Sequence, residues 1–266
     1  MSIIYEPKGK AREYSPLALN VYLGCDHGCK YCYIRQLRQN NTVPKQRPDL
    51  INKLSLELQK HFIGKQVLLS FLGDPYCNLE VKIGITRQIL ELLNQHNIPT
   101  AILTKGGKRC LRDIDVFKQF NNIKIGATLT FIDHDQSIKF EPDAAPPSDR
   151  FDTLKILHNA GIRTWASLEP VIDPEQSLEI INVTHNYIDE YQIGKLNYSK
   201  LQYQIDWNDF ATKTINKLIQ LNKEFYIKKD LYQLMTNKQI DKKYIDMDYL
   251  ILRNKIGNLQ ESLELV

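Results

Sequence analysis

LALNVYLGCDHGCKYCY, residues 17–33, joins an apolar run to three cysteines in a Cx3Cx2C spacing. The run 17–23 reads as a buried strand stopped by Gly24, so Cys25, Cys29 and Cys32 fall in the loop that leaves a first strand. Three thiols within eight residues, in a chain with five cysteines, point to metal ligation in a reducing compartment rather than to a disulfide framework. Gly24 and Gly28 let such a loop wrap closely, because glycine adopts positive φ without strain. Three thiolates suit three irons of a cubane cluster and leave the fourth iron open to a chelating ligand. Structural zinc is the competing reading; it usually takes four ligands, and His27 is the local candidate for the fourth. A Cys29–Cys32 redox pair leaves Cys25 unused.

Outward from this loop the chain alternates. Apolar strands are expected at 66–72, 100–104, 123–129, 163–168 and 192–196, with helices at 50–62, 79–96, 110–120, 150–160 and 174–187 between and after them. Near-continuous apolar strands, each followed by a helix, argue for a parallel sheet covered on both faces. The expected fold class is α/β, a partial (β/α)6 TIM-like barrel with a short C-terminal α/β extension. Residues 1–200 form the core with an N-terminal extension. Residues 201–266, with a helix at 207–222, a strand at 224–227 and a Lys-rich end, pack on the barrel.

Composition sets limits. At 266 residues, 42% hydrophobic and 25% charged, the sequence is that of an ordinary globular protein. It has no apolar stretch of the ~18 residues a membrane span needs, and its start lacks a secretory signal, so a cytoplasmic location without membrane partners is expected. Oligomeric state is not legible. The net charge of +4 is too small to define a partner by itself.

In a β/α barrel the loops at the carboxyl ends of the strands form the mouth, which selects a set of candidates. Gly73, Asp74 and Pro75 follow the second strand as a tight turn with exposed carbonyls and one carboxylate. Lys105 follows the third, beside Gly106 and Gly107. Thr128 and Thr130 end the fourth, and Arg150 closes the loop after it. Glu169 ends the fifth. Lys195 and Asn197 follow the sixth. Tyr31 and Tyr33 flank the last cysteine and are placed to cover a cluster. For most of these an ordinary structural role competes with the ligand role.

The strings YEPKGKAREYSPLALNVYLGCDHGCKYCY (5–33), GDPY (73–76), LTKGGKRCLRDID (103–115), FEPDAAPPSDR (140–150) and the AGI…LEPVI block (160–172) resemble the radical S-adenosylmethionine superfamily. Within it they resemble the spore photoproduct lyase-like, or DNA repair photolyase-like, branch. The resemblance implies a [4Fe–4S] cluster on Cys25, Cys29 and Cys32, S-adenosylmethionine as cofactor, and an external electron donor such as flavodoxin or ferredoxin. It implies that the Gly73 turn meets the methionine amino group, that Lys105 grips the methionine carboxylate, and that the strand end at Glu169 brings main-chain groups to adenine. It also implies lyase-like repair or modification chemistry. The branch uses a cysteine near the end of the second strand to return a hydrogen atom; Cys77 is the candidate. Cys110, at the start of an expected helix where the dipole favours a thiolate, is the second choice.

Charge distribution speaks to the substrate. No acidic residue occurs between Asp26 and Asp49, while Lys30, Arg35, Arg38, Lys45 and Arg47 do; Lys105, Lys108, Arg109 and Arg112 form a second basic group after the third strand. Cations beside Tyr31 and Tyr33 suit a phosphate backbone and an extruded base, which favours nucleic acid. A peptide or small-metabolite substrate, and a non-catalytic metal-bearing nucleic-acid module, are the alternatives.

Overall fold

A computed structural model describes residues 2–34, 43–60 and 64–246. Seven parallel strands make one sheet: β1 (Leu17–Leu19), β4 (Val67–Leu69), β5 (Thr100–Thr104), β6 (Ile123–Thr128), β7 (Arg163–Leu168), β8 (Glu190–Ile193) and β9 (Glu224–Ile227), in that spatial order. β1 and β9 are its two edges, so the barrel is partial, as expected. The expected 17–23 strand splits: Leu17–Leu19 joins the sheet, whereas β2 (Tyr22–Leu23) turns away to pair antiparallel with β3 (Lys45–Gln46). The strand of the expected C-terminal extension continues the same sheet beside β8.

The helices are α1 (Leu50–Lys60), α2 (Asn78–Ile83), α3 (Ile85–Gln95), α4 (Ile114–Phe117), α5 (His134–Phe140), α6 (Pro147–Asn159), α7 (Pro174–Thr184), α8 (Trp207–Gln220) and α9 (Lys229–Tyr232). The helix expected at 79–96 is broken at Gly84, whose φ of 68° lies in the left-handed region that ends one helix and admits the next. The helix expected from residue 110 is a 3-10 segment, Gly107–Asp113, leading into α4.

Alternation along the strands divides the core. One set of side chains, including Leu69, Ile102 and Ile125, packs against α1 and α3 residues such as Leu54 and Ile89. A second, including Ala166, Tyr191 and Ile193, packs against α7 and α8 residues such as Ile180 and Phe210. Between them Tyr14, Leu68, Ala101 and Trp165 form a small cluster on the concave face. The Trp165 ring crosses β6 at Gly126, where a Cβ would lie 2.4 Å from it, and its Nε1 donates to the Ile102 carbonyl on β5 at 3.1 Å. The interior is a packed core, and the space for chemistry is left at the carboxyl ends of the strands.

The segment before β1 touches both sheet edges. Tyr5 bridges antiparallel to Ala18 on β1, while Glu13 accepts from the Tyr226 hydroxyl at 2.7 Å and from the Lys229 amide at 2.8 Å at the end of β9.

Candidate active site

The cysteine loop is sewn to its neighbours by main-chain contacts. The Gly24 amide donates to the Leu72 carbonyl at 3.1 Å, and Asn20 Oδ1 accepts from the amides of Phe71 and Leu72 at 2.9 and 2.8 Å. A Cβ on Gly73 would lie 2.4 Å from the Gly24 carbonyl oxygen, so only glycine lets the turn after β4 touch the loop. Gly28, at φ 67°, faces Pro142, which a Cβ would approach to 2.9 Å; the Asp143 amide donates to the His27 carbonyl and the Lys30 amide to that of Phe140. The three thiols are thus set between the turn after β4 and the loop after β6.

All three are free, Cys29 buried and Cys25 and Cys32 half-buried. Burial pushes the Cys29 thiol up to about 11 despite the pull of Lys105, and burial, reinforced by Asp74, holds Cys25 well above the ordinary thiol range. Such buried thiolates are anions that a metal stabilises. His27 is buried with Nδ1 3.5 Å from Asp74, and its Nε2 has no hydrogen-bond partner among the described residues; burial lowers its pKa despite that carboxylate. Cys25, Asp26 and His27 present ligand atoms within 4.8 Å of one another, a grouping compatible with a single metal ion, but Asp26 is also used to accept from the Asn78 amide at 3.1 Å. A donor set of three thiols in one glycine-supported loop fits an iron–sulfur cluster with one open iron.

Asp74 knots the mouth together. Its Oδ1 accepts from the Thr104 hydroxyl at 2.6 Å and the Tyr76 amide at 2.8 Å, and its Oδ2 from the Lys105 amide at 2.8 Å. It therefore positions Lys105 rather than offering an open carboxylate. Pro75 is part of this fixed turn, its carbonyl accepting from the Thr86 hydroxyl at 2.6 Å. The Lys105 ammonium lies 5.5 Å from the centre of the Tyr31 ring and, among the described residues, has no carboxylate bonded to it. It is available to an incoming anion.

Arg150 is spoken for. Fully buried, it donates to the carbonyls of Ala145 at 2.7 Å and Thr128 at 2.9 Å and pairs with Glu141. Glu141 also accepts from Tyr31 and, at 3.1 Å, from Thr130. Burial works against its charge, but Arg150 and Lys105 outweigh that and hold the carboxyl below its usual range. Tyr31, Thr130, Glu141 and Arg150 form one network behind the cysteine loop, and Thr128 enters it through its carbonyl. Tyr33 is exposed, its hydroxyl 3.4 Å from the Phe71 carbonyl.

Across the mouth, Glu169 accepts from the Tyr14 hydroxyl at 2.7 Å and pairs with Lys228, which is fully buried 3.3 Å above the centre of the Tyr14 ring. Gly194 makes room: a Cβ there would sit 2.6 Å from Glu169 Cδ. Burial lowers the pKa of Lys195, which donates to Gln202 at 3.0 Å, while Asn197 donates to Asp230 at 3.2 Å. Tyr14, Glu141 and Lys228 were missed by sequence reasoning. The only available hint was a polar residue in an apolar strand context at Lys228.

Two further sets of expected residues have these surroundings. Cys77 and Cys110 are wholly buried in the layer between sheet and helices, with Val67, Leu69 and Ile102. Burial raises both thiols, Cys77 to about 12, with Asp74 adding to the rise at each. In the second basic group two cations are ion-paired, Lys108 with Asp149 and Asp152 and Arg112 with Glu80, whereas Arg109 donates to neutral acceptors, the Asn78 side chain and the Gly106 carbonyl. Lys30 and Lys45 are exposed, Arg47 donates to the Asn20 carbonyl at 3.0 Å, and Arg35 and Arg38 lie outside the described residues.

A sheet of this order carrying this loop at its mouth defines a class, and the family comparison agrees. The chain belongs to the radical SAM superfamily, whose model matches residues 19–188, and its cofactors are a [4Fe–4S] cluster and S-adenosylmethionine. An uncharacterized protein of Methanocaldococcus jannaschii is 30% identical over 238 residues, 86% of this chain and 82% of that one. The fold is similar to that of Streptococcus suis SuiB bound to S-adenosylmethionine, with TM-score 0.63 and 14% identity over 87% of this chain; this chain spans 54% of SuiB. It is also similar to a spore photoproduct lyase variant with bound AdoMet and dinucleoside spore photoproduct, with TM-score 0.66 and 11% identity over 83% of this chain and 78% of that one.

Proposed function

We propose that this protein cleaves S-adenosylmethionine reductively and uses the product radical on a nucleic-acid substrate, with an external one-electron donor. Cys25, Cys29 and Cys32 hold the cluster in this reading. Cluster and S-adenosylmethionine together supply a 5′-deoxyadenosyl radical when both are bound. The residues of the chain orient and shield. Lys105 binds the methionine carboxylate, held in place by its amide bond to Asp74. The Gly73 turn lies against the cysteine loop and offers main-chain groups to the methionine amino group. Glu169 and its partners support the strand end assigned to adenine.

The observation that carries the cofactor half is the Lys105 ammonium beside Cys29, which has no carboxylate bonded to it among the described residues, whereas Arg112 and Arg150 are ion-paired. For the substrate half, the acid-free stretch that starts at the cysteine loop keeps Lys30, Tyr33 and Lys45 exposed. The internal pairing of Lys108 and Arg112 favours the second reading, a peptide or small metabolite.

The test is anaerobic incubation of the reconstituted protein with dithionite and S-adenosylmethionine, assaying 5′-deoxyadenosine with and without DNA or RNA. Formation by the wild type, absent in Cys29→Ala and enhanced by nucleic acid, is the expected result. A colourless protein holding one zinc after reconstitution would sink the proposal. Turnover indifferent to nucleic acid would move the substrate to the second reading.

A further inference from the structure

Among the described residues three aromatic rings are exposed, Tyr33, Tyr198 and Tyr203, and all three lie on loops leaving carboxyl ends of the sheet strands. Tyr33 belongs to the cysteine loop. The other two stand across the mouth, 67% and 83% exposed, on the segment that follows β8. Neither ring there stacks on another ring or on a cation, and neither hydroxyl is hydrogen-bonded within the described structure.

Their presentation is built. Tyr198 has φ 59°, the left-handed region that a bulky residue rarely enters, whereas the other non-glycine residues with positive φ are Asp49, Asn97 and Asn222, which tolerate it. Tyr203 lies on the 3-10 turn Lys200–Gln204, where residues three apart eclipse, so Lys200 shares its edge. That turn is anchored: the Trp207 indole donates to the Gln202 carbonyl at 2.8 Å, Lys195 to the Gln202 side chain, and Ser199 caps its start. Residues 194–205 contain Lys195 and Lys200 and no acid, and exposed Lys8 and Lys229 lie on the segments joined to this rim through Lys10, Asp230 and Asn197.

Unpartnered rings spaced along a rim, interleaved with cations and fixed from below, suit successive unpaired bases with a phosphate backbone. They suit a duplex poorly, because its bases offer no free faces. We infer that the segment 194–205 is a stacking platform for single-stranded nucleic acid, with Tyr198 and Tyr203 under bases and Lys200 on a phosphate. This rests on the nucleic-acid reading above and narrows it to an unpaired strand crossing from the platform toward the cysteine loop.

The experiment measures fluorescence anisotropy of labelled oligothymidylate, oligouridylate and a DNA duplex with the anaerobic, reconstituted protein plus S-adenosylmethionine. Single strands are expected to bind more tightly than duplex, the two single-strand arms telling DNA from RNA. Replacing Tyr198→Gly and Tyr203→Ala together should weaken single-strand binding by about tenfold or more, while Tyr198→Phe and Tyr203→Phe, which keep the rings, should restore it. Lys200→Ala should lower the slope of log Kd against log salt by about 1. Wild-type binding that the Tyr198→Gly, Tyr203→Ala variant retains in full would remove the platform and leave the nucleic-acid reading standing. Tighter binding of duplex would likewise overturn the platform. No binding of any oligonucleotide by the wild type would take both down.

Discussion

Arg150 holds three acceptors with one guanidinium: two carbonyls and the Glu141 carboxylate. Lysine cannot reproduce that fork, and alanine leaves the buried Glu141 carboxylate without its guanidinium counter-ion. Arg150→Ala should therefore destabilise the protein by about 3–5 kcal/mol in urea unfolding, with Arg150→Lys in between; an Arg150→Ala loss below about 1 kcal/mol would show the pair to be idle. Gly194 is a subtler case. A methyl group there meets Glu169, so Gly194→Ala should cost about 1–3 kcal/mol by overpacking and displace the carboxylate from Lys228, read as a lower melting temperature. At this scale the sequence locates the cysteines and Lys105, because spacing and position after a strand are local features. The surroundings of Arg150, Asp74, Cys77 and Cys110 are not legible there, since whether a polar group is open or consumed depends on partners far along the chain. The Lys228–Glu169 pair, separated by 59 residues, shows why.

The turn after β4 and the turn after β5 act as one piece because Asp74 receives bonds from both. Removing its carboxylate frees the Lys105 and Tyr76 amides and the Thr104 hydroxyl at once. With Lys105 in the role proposed for it, Asp74→Ala should weaken S-adenosylmethionine binding about tenfold or more, measured by calorimetry on the reconstituted protein, because Lys105 loses its anchor; each buried donor left unpaired costs about 1–3 kcal/mol in stability. Thr104→Val removes one bond and should show a smaller fraction of both effects. Binding unchanged in Asp74→Ala would mean that Lys105 is positioned by something else. The period of the apolar residues located these strands well, Thr100–Thr104 and Arg163–Leu168 to the residue. It failed where local geometry intervenes: at Gly84, at the 3-10 segment after Gly106, and at the short α5, whose sequence has no apolar stripe to announce it.

Below the mouth, the concave face of the whole sheet is closed by charge. Lys124 on β6 donates to both oxygens of Glu190 on β8 at 2.8 Å, Arg163 reaches Glu190 at 3.4 Å and pairs with Glu224, and the Trp165 ring lies above the ammonium at 5.2 Å. Trp165 in turn contacts Tyr14, so this pair is the floor of a column that reaches Glu169 and Lys228 at the top. Burial alone would raise the Glu190 pKa, yet Lys124 outweighs it and the carboxyl lies below its ordinary range. A depressed carboxyl pKa contributes stability that is complete above the unfolded value, about 4.3 for glutamate, and is lost as pH falls through the folded value. Glu190→Gln leaves Lys124 buried without its counter-ion and should cost about 3–5 kcal/mol at neutral pH. The gap between wild type and variant should then narrow below pH ~4, as the wild type protonates the same group. Replacing both partners, Lys124→Met with Glu190→Leu, should recover most of the loss, because a buried pair and an apolar pair of similar volume are close in energy. Chemical unfolding from pH 3 to 7 checks all three, and a gap independent of pH would show that the loss does not come from the Glu190 charge.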